Sequence, residues 1–308
     1  MFGRGSVDYA GMTTVDAVSD TDMPQLFQAA DQASLEAQKA YVGGTRNRLL
    51  LLGSAAVLGI FTWRVGAGRI DVFGLIGMGI FVVAILIEGT LWRDRPDKSW
   101  YDGRAVAEST KTLAWKFAVC GLPFPSSLAH VDAVKALVER MESVRNQFGE
   151  LELTPLAAPL ISEWMIQQRE SSLEDRRRSY LAARIKDQMG WYARKAKYNK
   201  KRSKQWRFAL VTLELAGAAS SLWAAFSESV TALAPAIAAL VVGAVAWTET
   251  KQHDANARAY AAAVADLANA ETKLQLATTE ESWATEVDDA EEAISREHVI
   301  WLATRSRL

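Results

Sequence analysis

The chain is poor in the residues that build disulfide frameworks, metal centres and flexible linkers. Its single cysteine, Cys120, has no partner for an intrachain disulfide. Its three histidines, His130, His253 and His298, lie far apart, and without a second cysteine they do not complete a tetrahedral zinc set. Nineteen glycines and seven prolines in 308 residues exclude collagen-like and long linker segments. There is no phosphate-loop pattern, no HExxH and no GxSxG elbow, and Gly66-Ala67-Gly68 falls in a turn where a dinucleotide fingerprint has no strand to follow. No catalytic residue, cofactor or metal is therefore expected, and the chain reads as a non-enzyme. An excess of one charge is also missing: 35 basic against 36 acidic groups give −1, which argues against nucleic acid as a partner.

What the chain does hold is 11 Trp and apolar residues gathered into four blocks arranged as two close pairs. Leu49 to Trp63 is followed, after RVGAGR, by Ile70 to Trp92; Trp206 to Phe226 is followed by Val230 to Trp247. Crossing about 30 Å of hydrocarbon takes roughly 20 helical residues. The expectation is an all-α integral membrane protein of two helical hairpins with spans at about 49–65, 70–92, 206–226 and 230–248, and with long cytoplasmic helical extensions. Trp63, Trp92, Trp206, Trp223 and Trp247 sit at or near block ends, where a membrane-interface belt would place them. Arg194, Lys195, Lys197, Lys200, Lys201, Arg202, Lys204 and Arg207 form a basic collar before the third block, whereas the SES after it has no cation. By the positive-inside rule both termini are cytoplasmic, in a multi-pass protein of the plasma (inner) membrane. Residues 1 to 48, with six acids, four bases and no apolar core, do not read as a signal peptide.

Partitioning the charge shows that neutrality is a cancellation. Residues 93 to 205 hold 22 basic and 14 acidic groups (22 − 14 = +8), and residues 249 to 308 hold 6 and 12 (6 − 12 = −6). The basic segment suits an anionic leaflet, and the acidic one either points into the cytosol or pairs with the basic one. Carboxylates such as Asp288, Asp289, Glu291 and Glu292 read as a solvated acidic run.

The polar regions read as helices. Ser126 or Ser127 is a candidate cap for a helix striped by Val131, Val134, Val138, Met141 and Phe148, and Thr154-Pro155 is a second candidate start. From Ser172 a helical pattern runs unbroken into the third block, weakened only at Gly190. Ala255, Ala259, Ala262, Leu267, Ala270 and Leu274 form a seam for close packing of the returning arm. The halves also look like a repeat, with Trp63 and Trp223, Trp92 and Trp247, and Tyr101 and Tyr260 separated by 160, 155 and 159 residues.

Two motifs carry a family resemblance. Arg104, Glu108, Lys111 and Trp115 in RAVAESTKTLAW, and Arg184, Asp187, Gln188, Trp191, Tyr192, Ala196 and Asn199 in RIKDQMGWYARKAKYN, resemble the SLATT family of two-transmembrane effector domains, in two tandem copies. The expected division is a disordered tail at 1–23, a first SLATT-like domain at 24–125, a helical connector at 126–154, a second domain at 155–280 and an acidic C-terminal helix at 281–308. The resemblance implies an oligomeric effector of a prokaryotic defence or conflict system, such as anti-phage defence, forming a pore or otherwise disrupting the membrane. It also implies a nucleotide-second-messenger or sensor-protein partner. The alternatives are a membrane-anchored scaffold or sensor whose cytoplasmic helices bind a partner, and a small-solute or ion transporter.

Read for chemistry, the motif positions divide. Arg104, Glu108 and Lys111 fit either an exposed ion-paired stripe or a stripe pairing with Asp187 and Gln188. Trp115, Trp191 and Tyr192 fit packing better than a ligand platform. The collar is a topology signal or a phospholipid- or nucleotide-binding surface. Glu214, about 10 Å into the third span, lines a conduction path with Thr212, Ser220 and Ser221, or else makes an interhelical hydrogen bond or stays protonated in a packed bundle. Gly74, Gly77, Gly79, Gly217 and Ser221 permit close helix approach.

Overall fold

The structure, a computed structural model, describes residues 18–156, 158–227 and 233–305, with side chains to residue 295. Residues 1–17 of the expected tail and residues 228–232 at the start of the expected fourth span lie outside the described residues. The tail ends earlier than position 23, because Ser19 caps a 3-10 turn at Asp20–Asp22 and Met23 is buried.

Ten α-helices make up nearly all of the described chain. α1 (Gln25–Leu58) leads into a turn holding a two-rung antiparallel ladder, β1 (Arg64–Val65) and β2 (Ile70–Asp71). This small hairpin departs from the all-helical expectation: Gly66 takes the left-handed backbone the turn needs, at φ 73°. Asp71 closes the turn, accepting from the Trp63 N–H and capping α2 (Val72–Asp94) through the Phe73 N–H. The helix expected over 49–65 therefore stops at Leu58. Three helical rods, Val72–Ala118, Leu173–Phe226 and Leu233–Leu276, are long and apolar enough to cross a membrane, and α1 is not among them.

Each half folds as a long antiparallel helical hairpin bent at one point on its returning arm. In the first, α2 passes through Arg95 at φ 43° into α3 (Pro96–Ala118); in the second, α8 (Leu233–Lys251) passes through Gln252 at φ 47° into α9 (His253–Leu276). A left-handed residue breaks a helix in the same way at both sites, and the two lie 157 residues apart (252 − 95). α1 packs along α2 and α3, the latter closely enough that a Cβ on Gly103 would lie 3.0 Å from the Ser34 nitrogen. In the second hairpin α7 (Asp187–Phe226) packs along α8 and α9. The hairpins meet where α1 packs on α8, with Gly53 against Leu240, so the apolar helices stand in the row α2, α1, α8, α7.

The end of the molecule away from the β1–β2 turn carries the rest. α4 (His130–Gln147), α5 (Glu163–Glu170) and α6 (Leu173–Tyr180) pack with α3, and α10 (Glu280–Arg305) lies against α9 and back across α3. Here is the core, with Trp115, Trp283, Tyr180, Phe117, Phe124 and Leu137 fully buried. Along the row, by contrast, Phe81, Ile85, Leu86, Phe208, Leu215 and Leu222 are all exposed. An apolar surface on that scale in the absence of a partner is what lipid covers.

Local signals hold in part. Ser172 caps α6 through the Asp175 N–H, and helix then runs to Phe226 past Gly190, with one π-helical insertion at Leu181–Lys186. Ser126 and Ser127 do not cap α4; they lie in a turn closed by Leu128 N–H to Pro125 O, and α4 starts at His130. Its buried stripe is Ala133, Leu137 and Met141, leaving Val131 exposed. Thr154-Pro155 starts no helix, because that stretch is held extended on α1 by Gln25, whose backbone N–H donates to Pro159 O and whose side chain donates to Leu156 O. α5 begins instead at the Ser162 cap. On α9 the seam runs Ala263, Leu267, Ala270, Leu274, one residue over from the expected Ala262, which is exposed.

Candidate functional site

The strongest polar centre in the molecule lies on none of the expected lining positions. Glu291 of α10 is fully buried and faces Arg184 in the π-helical turn, which is 2% exposed. Arg184 donates from Nε to Oε1 at 2.9 Å and from Nη2 to Oε2 at 2.7 Å; the Tyr180 hydroxyl donates to Oε1 at 3.0 Å and the Thr112 hydroxyl to Oε2 at 2.8 Å. The carboxylate's acceptor capacity is thus met by four donors from three helical segments, the condition under which a charge pair can be buried. Burial pushes the Tyr180 hydroxyl well above its ordinary range, and the facing carboxylate adds to the shift. For Arg184 burial acts to lower the pKa, but the Glu291 carboxylate outweighs it and holds the guanidinium charged.

Glu291 thereby leaves the expected solvated run. Position in sequence could not show this, since its neighbour Glu292 is exposed. Four more carboxylates of the acidic helix are paired: Glu280 accepts from Arg176 Nη2 at 2.5 and 2.7 Å, Asp288 pairs with Lys116, and Lys273 sits 3.8 Å from Glu286 and 3.6 Å from Asp289. Trp283 anchors the contact, its indole N–H donating to Val119 O at 2.7 Å. The −6 segment and the +8 segment neutralise one another, and in doing so tie the end of the second half to α3 of the first.

Arg169 was also invisible to pattern reading. Its guanidinium donates to the carbonyls of Phe117, Phe124 and Pro125 at 2.8 to 3.1 Å and lies over the Phe117 ring. It satisfies acceptors that the end of α3 leaves without helical donors. Cys120, beside it, is buried, and burial raises its thiol pKa, which disfavours the reactive thiolate.

The two motif sets converge. Lys111 and Trp115 of the first, and Arg184, Asp187 and Gln188 of the second, line one crevice of about 10 Å³, room for a single water at most. Arg104 and Glu108 make an i,i+4 pair at 3.2 Å, and Lys111 reaches Asp20 at 3.4 Å and lies over Phe27. Trp115 is buried edge-on to Trp164 and Tyr180 at 4.8 and 5.7 Å. Trp191 and Tyr192 cluster with Tyr260, centroids 5.2 to 5.6 Å apart, across α7 and α9. Trp100 makes the equivalent cluster with Tyr41 and Tyr101 in the first half. Asn199 Oδ1 lies 2.7 Å from His253 Nδ1, bridging α7 to the start of α9. These are packing and positioning roles.

In the apolar row, Thr212, Ser220 and Ser221 donate to carbonyls of their own helix, at Phe208, Gly217 and Gly217. Glu214 is exposed on the outer surface of α7 and makes no interhelical hydrogen bond or ion pair among the described residues. Of the belt, Trp63, Trp92 and Trp223 are exposed, and Trp206 and Trp247 are half-buried, the latter under Lys251. The collar divides: Arg207 pairs with Asp254, Arg202 lies over Tyr198 and Lys195 over Trp191, while Arg194, Lys197, Lys200, Lys201 and Lys204 carry no ion pair among the described residues. No group of three metal-ligating side chains occurs among the described residues.

Residues 24–177 match SMODS and SLOG-associating 2TM effector domain 3, and residues 180–301 match effector domain 1. No curated protein and no solved structure matches the chain. With both matches falling on the hairpins and motif sets just described, the chain belongs to the SLATT family of effector domains associated with defence and conflict systems, and carries two of them in tandem.

Proposed function

We propose that the chain is a multi-pass protein of the plasma membrane, with four spans and both termini cytoplasmic, that oligomerises to form a pore or otherwise disrupts the bilayer in a defence response. The observation that carries this reading is Glu214. It lies about 10 Å inside a span, on an outer helix of the row, with no hydrogen-bond or ion-pair partner among the described residues. A carboxylate in hydrocarbon costs several kcal/mol unless protein or water meets it, so a neighbouring copy, with water between copies, is the natural environment for it. The open order α2, α1, α8, α7 points the same way, since a row of four helices does not enclose a channel. The first span would take in the non-helical stretch after Leu58, with Arg46 reaching outward. The reading needs no enzymatic step; the trigger would act on the cytoplasmic bundle, through a nucleotide second messenger or a sensor protein.

The test is induced expression with a membrane-potential dye, together with a mass measurement in detergent. Depolarisation by the wild-type chain, its loss in Glu214→Gln, and a mass above the monomer are expected. Intact potential with a strictly monomeric mass overturns the pore and favours a membrane-anchored scaffold.

A further inference from the structure

The collar is more ordered than a count of its cations suggests. Lys197, Lys200, Lys201 and Lys204 follow the i, i+3, i+4, i+7 spacing of one helical face. All four are exposed and have no carboxylate within ion-pair distance among the described residues. The same face continues down α7 as Phe208, Leu215 and Leu222, exposed at 76%, 66% and 63%. The opposite face, with Tyr192, Asn199 and Ser203, is buried. The lysine stripe thus stands directly above the lipid-facing stripe. Its cations look toward the surrounding headgroups and away from the rest of the chain.

Three cations near the first hairpin are differently placed. Arg48 pairs with Glu88 at 3.0 Å, Arg93 with Asp94 at 2.7 Å, and Lys98 with Glu150. Orienting a hairpin requires only that positive charge stay on one side, and such paired cations still count toward that. A run of four lysines left without acidic partners on a lipid-facing line goes beyond it. At about 1.5 Å per residue, Lys204 stands about 3 Å and Lys197 about 14 Å above Trp206, which brackets the headgroup layer and lies within reach of its potential, screened over about 8 to 10 Å.

We propose that this face of α7 is a binding site for the phosphodiester headgroups of anionic phospholipids, with Lys197, Lys200, Lys201 and Lys204 as its ligands. The proposal rests on α7 being embedded in a bilayer and is independent of pore formation. Ammonium groups on flexible stems suit diffuse, exchangeable phosphate contacts better than one fixed chelate. Each lysine contributes about a fivefold preference for an anionic over a neutral surface.

The full-length chain in neutral detergent is titrated with phosphatidylglycerol or phosphatidylcholine, and bound lipid is read by native mass spectrometry. The wild-type chain is expected to prefer phosphatidylglycerol, to lose that preference as salt is raised, and to keep it in the presence of inorganic phosphate. Replacing the four lysines by Gln lowers the preference at least about tenfold, whereas replacing them by Arg leaves it. A salt-insensitive preference in the wild-type chain overturns the proposal without reliance on any variant. So does a Gln variant that binds as the wild type does, or displacement of the lipid by inorganic phosphate, which marks a site for soluble anions. Because the readout is lipid bound in detergent, a chain that fails to depolarise cells can still pass it.

Discussion

Glu291 and Glu214 are the same residue in opposite surroundings. Glu291 is sealed in the helical bundle and accepts from Arg184, Tyr180 and Thr112; Glu214 stands exposed on an apolar helix with no hydrogen-bond or ion-pair partner among the described residues. The first is finished as a monomer. The second has no such partners among the described residues, and the contrast separates the part of the molecule that is closed on itself from the part that leaves its surface open. The bundle is dry, aromatic and ion-paired, while the row of apolar helices buries almost none of its surface.

The comparison breaks most visibly at Glu291. Glu291→Ala leaves the Arg184 charge buried and unpaired, which should cost about 3–5 kcal/mol and appear as a large drop in thermal stability in detergent. Adding Arg184→Met should recover much of the loss, and a double variant no better than the single one would show that the pair is not the cause. Next comes Gly121→Ala, because its Cβ would lie 2.3 Å from Val287 Cγ1 and push α10 off α3; overpacking of this kind costs about 1–3 kcal/mol. Both changes should loosen α10, read as faster amide exchange in that helix.

The third effect depends on pH. Tyr180 has its pKa raised in the folded chain, so its contribution is intact below the unfolded value of about 10 and is lost as pH rises toward the folded value. Above about pH 10 the unfolded chain releases a proton that the folded chain holds, and stability falls. Tyr180→Phe should flatten that alkaline decline relative to wild type; an unchanged slope would assign it elsewhere. Smaller still is the Arg104 and Glu108 pair, each a little over a quarter exposed, where removing both should cost about 0.2–0.5 kcal/mol. Last is Glu214→Gln, expected to leave detergent stability within about 0.5 kcal/mol while abolishing depolarisation, so that the glutamate with the smallest effect on folding has the largest effect on cells.

The architecture was largely legible because it rests on one-dimensional signals. Apolar runs, the Trp at their ends, the lysines of the collar and the Ser172 cap can all be read in sequence order, and the repeat reappears as matching left-handed breaks at Arg95 and Gln252. What failed were readings that depend on which side a residue faces. Ala263 is buried where Ala262 was expected, and Leu137 forms the stripe where Val138 was expected, because a slip of one position turns a helix by about 100°. Arg169, Arg184 and Glu291 meet partners 44 to 179 residues away, and no local pattern distinguishes Glu291 from the exposed Glu292 beside it.

The sequence by itself determined that this is a helical protein with much of its surface in lipid, since hydrophobicity and charge act additively along the chain. It also carried the motifs of two SLATT domains. Only the tertiary structure decided that basic and acidic segments pair with each other through α10, that both motif sets meet at one crevice, and that four exposed lysines of one face of α7 carry no ion pair among the described residues. Those outcomes depend on short-range geometry between distant residues, where desolvation makes a charge costly to bury unless its partners meet it within about 3 Å.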